Sequence, residues 1–319
     1  MVAIRNIKVL LLGYGNWGSV HLKTLNALTD NWKVYDINQS KLQKVYDFYG
    51  AQHVVESHRP QDLFDCEAVI IATSSDTHFP LAKEYLKAGK HVLVEKPVVK
   101  SKEELKELIQ IANECPQVFM AGHTLMYSDP HLKVIEWANK QLDEPITVIL
   151  RRMKKNPIKG DDEIYRLAPH DLSLLDRLGL LEGESCIDGN ALYFSANGSK
   201  ANVVVSWFQD PPIRDFYVMN KNHVYYHDDS KHICMFDNIP IKYDRTPPLL
   251  REHLAFLSTI AGENLNNSDI HHVERVYRSL TNLKQWEPYE VTVDNRDEAT
   301  ANQVEYDSES ALDLSADRT

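Results

Sequence analysis

Between Ile7 and about Gly122, short apolar runs alternate with longer stretches of helical period. The runs fall at 8–12, 33–35, 68–72, 91–94 and 117–120. Strands that are apolar throughout, rather than on alternate residues, suit a parallel sheet covered on both faces. The segments between them read as crossover helices, among them 77–88 and 101–114. Ser101 followed three residues on by Glu104 makes a capping box at the start of the latter. The pattern predicts a doubly wound α/β domain over 1–122. After a further helical stretch, 129–142, the pattern becomes one of strands, at 146–153, 185–195, 200–208, 214–219, 223–227 and 232–236. Turns such as Ala196-Asn-Gly-Ser199 join them, and helical segments at 248–261 and 271–283 follow. This predicts an α+β domain over 123–289 with a large, mainly antiparallel sheet. From 290 to 319 the periodicity stops and acidic residues dominate, as expected of a disordered tail.

Composition narrows the function classes. A length of 319 residues with 43% apolar content suits about two folded domains. The net charge of -11 disfavours nucleic acid and anionic membrane as partners, both of which need a basic surface. Six of those charges lie in 294–319, so they say little about any active site. The four cysteines are far apart and not grouped with histidine, so neither a disulfide framework nor a metal site is expected. No signal-peptide pattern opens the chain and no run approaches the ~20 apolar residues of a membrane span. A cytoplasmic location is the expectation.

Gly13-Tyr-Gly15-Asn16-Trp17-Gly18 fits G-x-G-x-x-G, follows an apolar strand and opens a helical segment. Asp36 ends the next strand, 23 residues after Gly13. Each part has a physical task in holding a dinucleotide. Gly13 permits the tight turn, Gly15 lets the backbone approach a pyrophosphate, and Gly18 lets helix pack on strand. The helix N-terminus offers amide hydrogens to the anion. The Asp36 carboxylate suits ribose hydroxyls and repels a 2′-phosphate. No arginine in 37–40 reverses that preference, so NAD is favoured over NADP.

The strand at 91–94 runs into Glu95-Lys96-Pro97, at the edge of the sheet where open α/β folds place ligands. Lys96 there can polarise a carbonyl or bond a hydroxyl. The order and spacing of Gly13–Gly18, Ala72-Thr73-Ser74-Ser-Asp-Thr-His78 and Ala88-Gly-Lys-His-Val-Leu-Val-Glu95-Lys96-Pro97 resemble the successive signatures of the Gfo/Idh/MocA oxidoreductase family. Gly122-His123-Thr-Leu-Met-Tyr127 and Ala168-Pro-His170-Asp-Leu-Ser173 resemble its sugar and nucleotide-sugar branch. The resemblance implies a Rossmann domain followed by a domain whose open sheet forms a homodimer or homotetramer interface. It implies hydride transfer between nicotinamide and a carbon of a sugar or nucleotide-sugar substrate. Lys96 and His170 are then the catalytic groups, with Thr73, Ser74, His78 and Glu95 near the cofactor.

His170 is placed by the apolar pattern in the first turn of a helix beginning at 168, where the helix dipole disfavours imidazolium. One departure stands out: Arg166 occupies the position, four residues before this histidine, where related enzymes commonly carry an aspartate. The guanidinium lowers the proton affinity of nearby bases and can instead grip an acidic substrate. It also motivates the alternative of a catalytically impaired member acting as an NAD-binding regulator or scaffold. Among the remaining candidates, His78 is either a cofactor contact or a cap. His123 and Tyr127 either touch substrate or pack in the core. Of Arg151 and Arg152, which alternate on a strand, Arg151 is taken as the substrate contact, although a one-residue register error swaps them.

Overall fold

The structure is a computed structural model that describes residues 4, 6–57, 59, 66–141, 144–155 and 163–285; the acidic segment 290–319 lies outside the described residues. Up to Gln285 the chain forms one compact unit built on two sheets. The first contains β1 (Val9–Leu12), β2 (Trp32–Tyr35), β3 (Ala68–Ile71), β4 (His91–Glu95) and β5 (Phe119–Gly122). All are parallel, in the order β2-β1-β3-β4-β5. Its helices are α1 (Asn16–Asn26), α2 (Gln39–Tyr49), α3 (His78–Lys87) and α4 (Lys102–Glu114). The fully apolar strands have the cause anticipated from sequence. Val9 and Leu11 face a core with Leu22, Leu25, Leu42 and Val45, whereas Leu10 and Leu12 face one with Ala82, Tyr85, Leu86 and Leu108. Both sides of the sheet are therefore covered. The Ser101 side chain accepts from the Glu104 amide, as the capping box requires.

The order reverses between β1 and β3, which opens the crevice at their carboxyl ends. A short 3-10 turn at Thr124–Tyr127 and α5 (Asp129–Asn139) lead into a nine-stranded sheet. Its strands are β6 (Thr147–Lys155), β7 (Glu184–Asp188), β8 (Ala191–Ala196), β9 (Ser199–Ser206), β10 (Phe208–Met219), β11 (Val224–Asp228), β12 (Ile233–Phe236), β13 (Ile239–Pro240) and β14 (Lys284–Gln285). Pairing is antiparallel except for β6 with β9 and β7 with β14. Three helices complete the unit: α6 (Glu163–Arg177), α7 (Pro248–Ile260) and α8 (Ile270–Thr281).

Two sequence expectations are corrected. The run 185–195 is not one strand but a hairpin, β7–β8, turning at Gly189, whose φ of 54° is the left-handed conformation that glycine adopts freely. The helix carrying His170 begins at Glu163 rather than at 168, with Pro169 inside it. A proline there removes one backbone hydrogen bond. Buried Leu167, Ala168, Leu172 and Leu175 keep the helix docked across that gap. His170 therefore stands mid-helix, where the end-of-helix dipole has little reach.

Candidate active site

The glycine turn between β1 and α1 is shaped by close backbone approaches at two positions and by open space at a third. Gly13 has φ of 92°, and a Cβ there would lie 2.6 Å from the Ala72 carbonyl oxygen at the end of β3. A Cβ on Gly18 would collide with the Gly13 carbonyl. Around Gly15, in contrast, a Cβ would meet nothing within 4 Å. Protein packing thus explains glycine at 13 and 18 but not at 15, where the missing side chain leaves room at the start of α1 for an anion to reach the backbone. Thr73 packs against the Gly13 turn, and Ser74 beside it is exposed. Asp36, at the end of β2, accepts from the Tyr14 amide at 2.7 Å and the Asn38 amide at 2.8 Å. Since a carboxylate accepts about four hydrogen bonds, capacity remains for ribose hydroxyls. Lys41, one residue beyond the stretch 37–40 that lacks arginine, brings its Nζ to 3.4 Å from Asp36.

Glu95 and Lys96 leave β4 at the same edge. Trp17 Nε1 and His21 Nε2 both donate to Glu95 Oε1, the second at 3.0 Å, and the Lys96 amide lies 3.2 Å from Oε2. Burial would raise the proton affinity of this carboxyl, but the His21 and Trp17 hydrogen bonds outweigh it and hold Glu95 below its ordinary range. Lys96 Nζ donates to the main-chain oxygen of Arg166 at 3.2 Å, one turn of α6 before His170. Burial brings the Lys96 ammonium down to about 8; Glu95 opposes that shift, whereas Arg166, Arg152 and Lys154 add to it. His170 is held well below its ordinary value by burial and then by the charges of Lys96 and Arg152. An amine of lowered proton affinity and a neutral imidazole thus lie close together at the carboxyl end of the parallel sheet.

Comparison with known proteins bears on the fold. Residues 7–123 match the model of the oxidoreductase family with an NAD-binding Rossmann fold, GFO_IDH_MocA. Over these residues the chain is similar to the Gfo/Idh/MocA oxidoreductases. It is 30% identical to the uncharacterized oxidoreductase YdgJ of Escherichia coli over 192 residues, 56% of this chain and 54% of that one. It is 29% identical to the UDP-N-acetylglucosamine 3-dehydrogenase of Acidithiobacillus ferrooxidans over 201 residues, 62% of this chain and 61% of that one. The matched segments thus span little more than half of these curated relatives. A solved structure of the Acidithiobacillus ferrooxidans protein superposes with a TM-score of 0.76 at 23% identity, covering 87% of this chain and 96% of that one. GenD2 from gentamicin A biosynthesis, solved in complex with NAD, superposes at 0.72 with 18% identity, covering 88% and 94%. At these identities the superpositions establish the fold.

Several sequence-assigned residues sit elsewhere than expected. Arg151 pairs with Asp215 on β10 and takes no part in the Lys96 pocket. Arg152, one residue on and so on the opposite face of β6, reaches Asp171 on α6 through two 2.8 Å bonds and is the charge that Lys96 and His170 feel. The parity of a strand decided this, and sequence alone could not. His78 is buried, with Nδ1 2.8 Å from the Pro97 oxygen and Nε2 3.2 Å from the Thr73 oxygen. It braces the segments after β3 and β4 instead of facing a ligand. Tyr127 is likewise buried, its hydroxyl 3.0 Å from Ser268 and accepting from the Asn267 amide at 3.1 Å. His123 is buried too, with Nδ1 against Ser173 and 3.0 Å from His272. The Arg166 side chain is exposed, and its charge bears on Lys96 and Lys154.

Breaking the Arg152–Asp171 pair is expected to be costly, because the remaining carboxylate would stay buried without its partner. Arg152→Met should lower stability by about 3–5 kcal/mol, read from the urea midpoint. A loss below about 1 kcal/mol would show that water replaces the guanidinium.

Proposed function

We propose that this protein is an NAD-dependent oxidoreductase that moves a hydride between nicotinamide and a carbon of a sugar, either a nucleotide-linked or acidic sugar or a keto-sugar, and that the anionic sugars are preferred. The supporting observation is Lys96, which follows β4 and bonds α6 through its Nζ, with its proton affinity brought down to about 8. The glycine turn, the open space at Gly15 and the remaining acceptor capacity of Asp36 fit a dinucleotide held by residues 13–18 and Asp36. When bound, the nicotinamide supplies the hydride acceptor or donor. Oxidation of a CH–OH group also releases one proton, and neutral Lys96 or His170 can accept it. In the reverse direction the Lys96 ammonium returns a proton to the forming alkoxide.

The substrate class follows from charge. Arg214, Arg166 and Arg152 bear on Lys154, and Arg166, Arg152 and Lys154 bear on Lys96. Burial and these neighbours lower the proton affinity of Lys154, whose Nζ lies 4.8 Å over the Trp207 ring. A phosphate, diphosphate or carboxylate on the sugar would relieve that repulsion. Two relatives named as a UDP-N-acetylglucosamine 3-dehydrogenase and an inositol 2-dehydrogenase support a ring hydroxyl as the reacting group.

The test is purified protein mixed with NAD or NADP and a panel of sugar nucleotides, uronates, sugar phosphates and inositols, followed by absorbance of the reduced nicotinamide. Turnover is expected on anionic members of the panel, with NAD favoured over NADP by about tenfold or more, equivalent to ~1.4 kcal/mol of like-charge repulsion at Asp36. Asp36→Ser should narrow that ratio, since Lys41 then faces a 2′-phosphate unopposed. Saturable NAD binding without turnover on any member would favour the regulator or scaffold reading that Arg166 motivates.

A further inference from the structure

Behind the pocket lies a buried array that the reaction as described so far does not use. Glu95 and Gly122 pair across β4 and β5, so Lys96 and His123 are the first residues beyond neighbouring strand ends, about 5 Å apart. On α6, His170, Ser173 and Asp176 recur every third residue and form one stripe. Ser173 Oγ contacts His123 Nδ1, and His123 is near enough to Lys96 and His170 to interact electrostatically with both. From there the array runs inward. His272 Nε2, on α8, lies 3.0 Å from His123 Nδ1, and His272 Nδ1 lies 2.6 Å from Asp176 Oδ2. Arg275 donates to both Asp176 oxygens, at 2.5 and 3.0 Å. Ser173 Oγ is also 3.2 Å from His272 Nε2, the order of a nucleophilic triad. However, Ser173 is fully buried and its hydroxyl donates to the Pro169 oxygen at 2.7 Å, so no substrate reaches it.

We propose that His123, His272 and Asp176 form a proton relay serving the Lys96–His170 pair, an inference that rests on the oxidoreductase reading above. The hydrogen-bond chain fixes the tautomers. A carboxylate only accepts, so His272 Nδ1 carries a proton toward Asp176 and His272 Nε2 is left to accept the proton on His123 Nδ1. His123 Nε2 is then bare. A proton arriving there forms one N–H bond while the Nδ1–H bond breaks and a new N–H bond forms at His272 Nε2. The charge ends on the His272 imidazolium, opposite the carboxylate that Arg275 also holds. No electrons move, and one proton enters for each hydride transferred. The groups facing the array are Lys96 beyond β4, His170 and Ser173 on α6, and Asp269, Glu182 and Arg275 around its inner end. The consequence is specific. Below about pH 8, where Lys96 is charged and cannot accept, the relay takes the proton; above that pH, Lys96 accepts it directly.

Asp176→Asn tests this in the full-length protein. With the Asn carbonyl retained by Arg275 Nε, the amide NH2 faces His272 Nδ1, forces the His272 proton to Nε2 and thereby moves the His123 proton to its own Nε2. Expected are an about tenfold loss of kcat for oxidation at pH 7, where about a tenth of Lys96 is still neutral, that closes to within about twofold at pH 9.5, with KM for NAD unchanged. An equal loss at both pH values, as a merely structural role would give, overturns the proposal. A readout independent of turnover is 15N-histidine NMR. His123 and His272 should both be Nδ1–H tautomers in the wild type and Nε2–H in Asp176→Asn, and unchanged tautomers would also overturn it. If the wild type oxidises no sugar, the oxidoreductase reading fails while the NMR result still decides whether the relay exists.

Discussion

Lys96→Ala is expected to lower turnover by about 10²-fold or more, the scale for losing a general acid–base group, while dinucleotide affinity stays within about twofold. The separation follows from geometry. The Lys96 side chain is half-buried and its Nζ bonds a main-chain oxygen on α6, whereas the glycine turn depends on backbone contacts among Gly13, Ala72 and Gly18. The pH dependence has a defined sign. The Lys96 ammonium is brought down to about 8 by burial first and by Arg166, Arg152 and Lys154 after it, with Glu95 opposing. The neutral amine accepts a proton, so oxidation by Asp176→Asn, which lacks the relay, should rise as pH increases through about 8, and oxidation by the wild type should rise less. Carbonyl reduction needs the ammonium and should fall through the same range. Lys96→Arg keeps the positive charge but cannot release it, so it should lose oxidation as fully as alanine does and show no limb near pH 8. Unchanged turnover in Lys96→Ala, measured with saturating cofactor, would remove the residue from the mechanism.

How far the sequence disclosed these features depends on the range over which each is determined. The glycine turn, Asp36 and Lys96 are set by local strand–turn–helix order, so residue spacing alone located them. The histidine on α6 was found for the right neighbourhood and the wrong physics. Pro169 looks like a helix start, but the helix begins at Glu163, and His170 owes its low proton affinity to burial and to the Lys96 and Arg152 charges. Arg151 and Arg152 differ only by the parity of a strand, which no sequence period fixes without knowing the buried face. The partners of the buried histidines were invisible for another reason. His123 bonds a residue 149 positions away and His21 one 232 positions away. The only local trace was the spacing of His170, Ser173 and Asp176, which becomes informative once α8 is known to lie against it.

The sharpest test of the dinucleotide site compares two alanines in one turn. Gly15→Ala should fold with a stability within about 0.5 kcal/mol of wild type, because the added methyl meets no protein atom within 4 Å. The same methyl projects into the space left for a pyrophosphate beside the first amides of α1. NAD affinity is therefore expected to fall about 10²-fold, by isothermal titration, with the urea midpoint unchanged. Gly18→Ala should fail in both respects. Its methyl collides with the Gly13 carbonyl, a backbone atom that is itself held in place, because the Gly13 amide donates to the Tyr35 oxygen at 2.8 Å. Relief then requires α1 to move away from β1, which disturbs Leu22 and Leu25, both fully buried beneath it. A stability loss of about 2–4 kcal/mol is expected together with loss of NAD binding. If Gly15→Ala binds NAD as tightly as wild type, the open space at that position has no part in holding the dinucleotide, and the phosphates must be sought elsewhere along the crevice between β1 and β3.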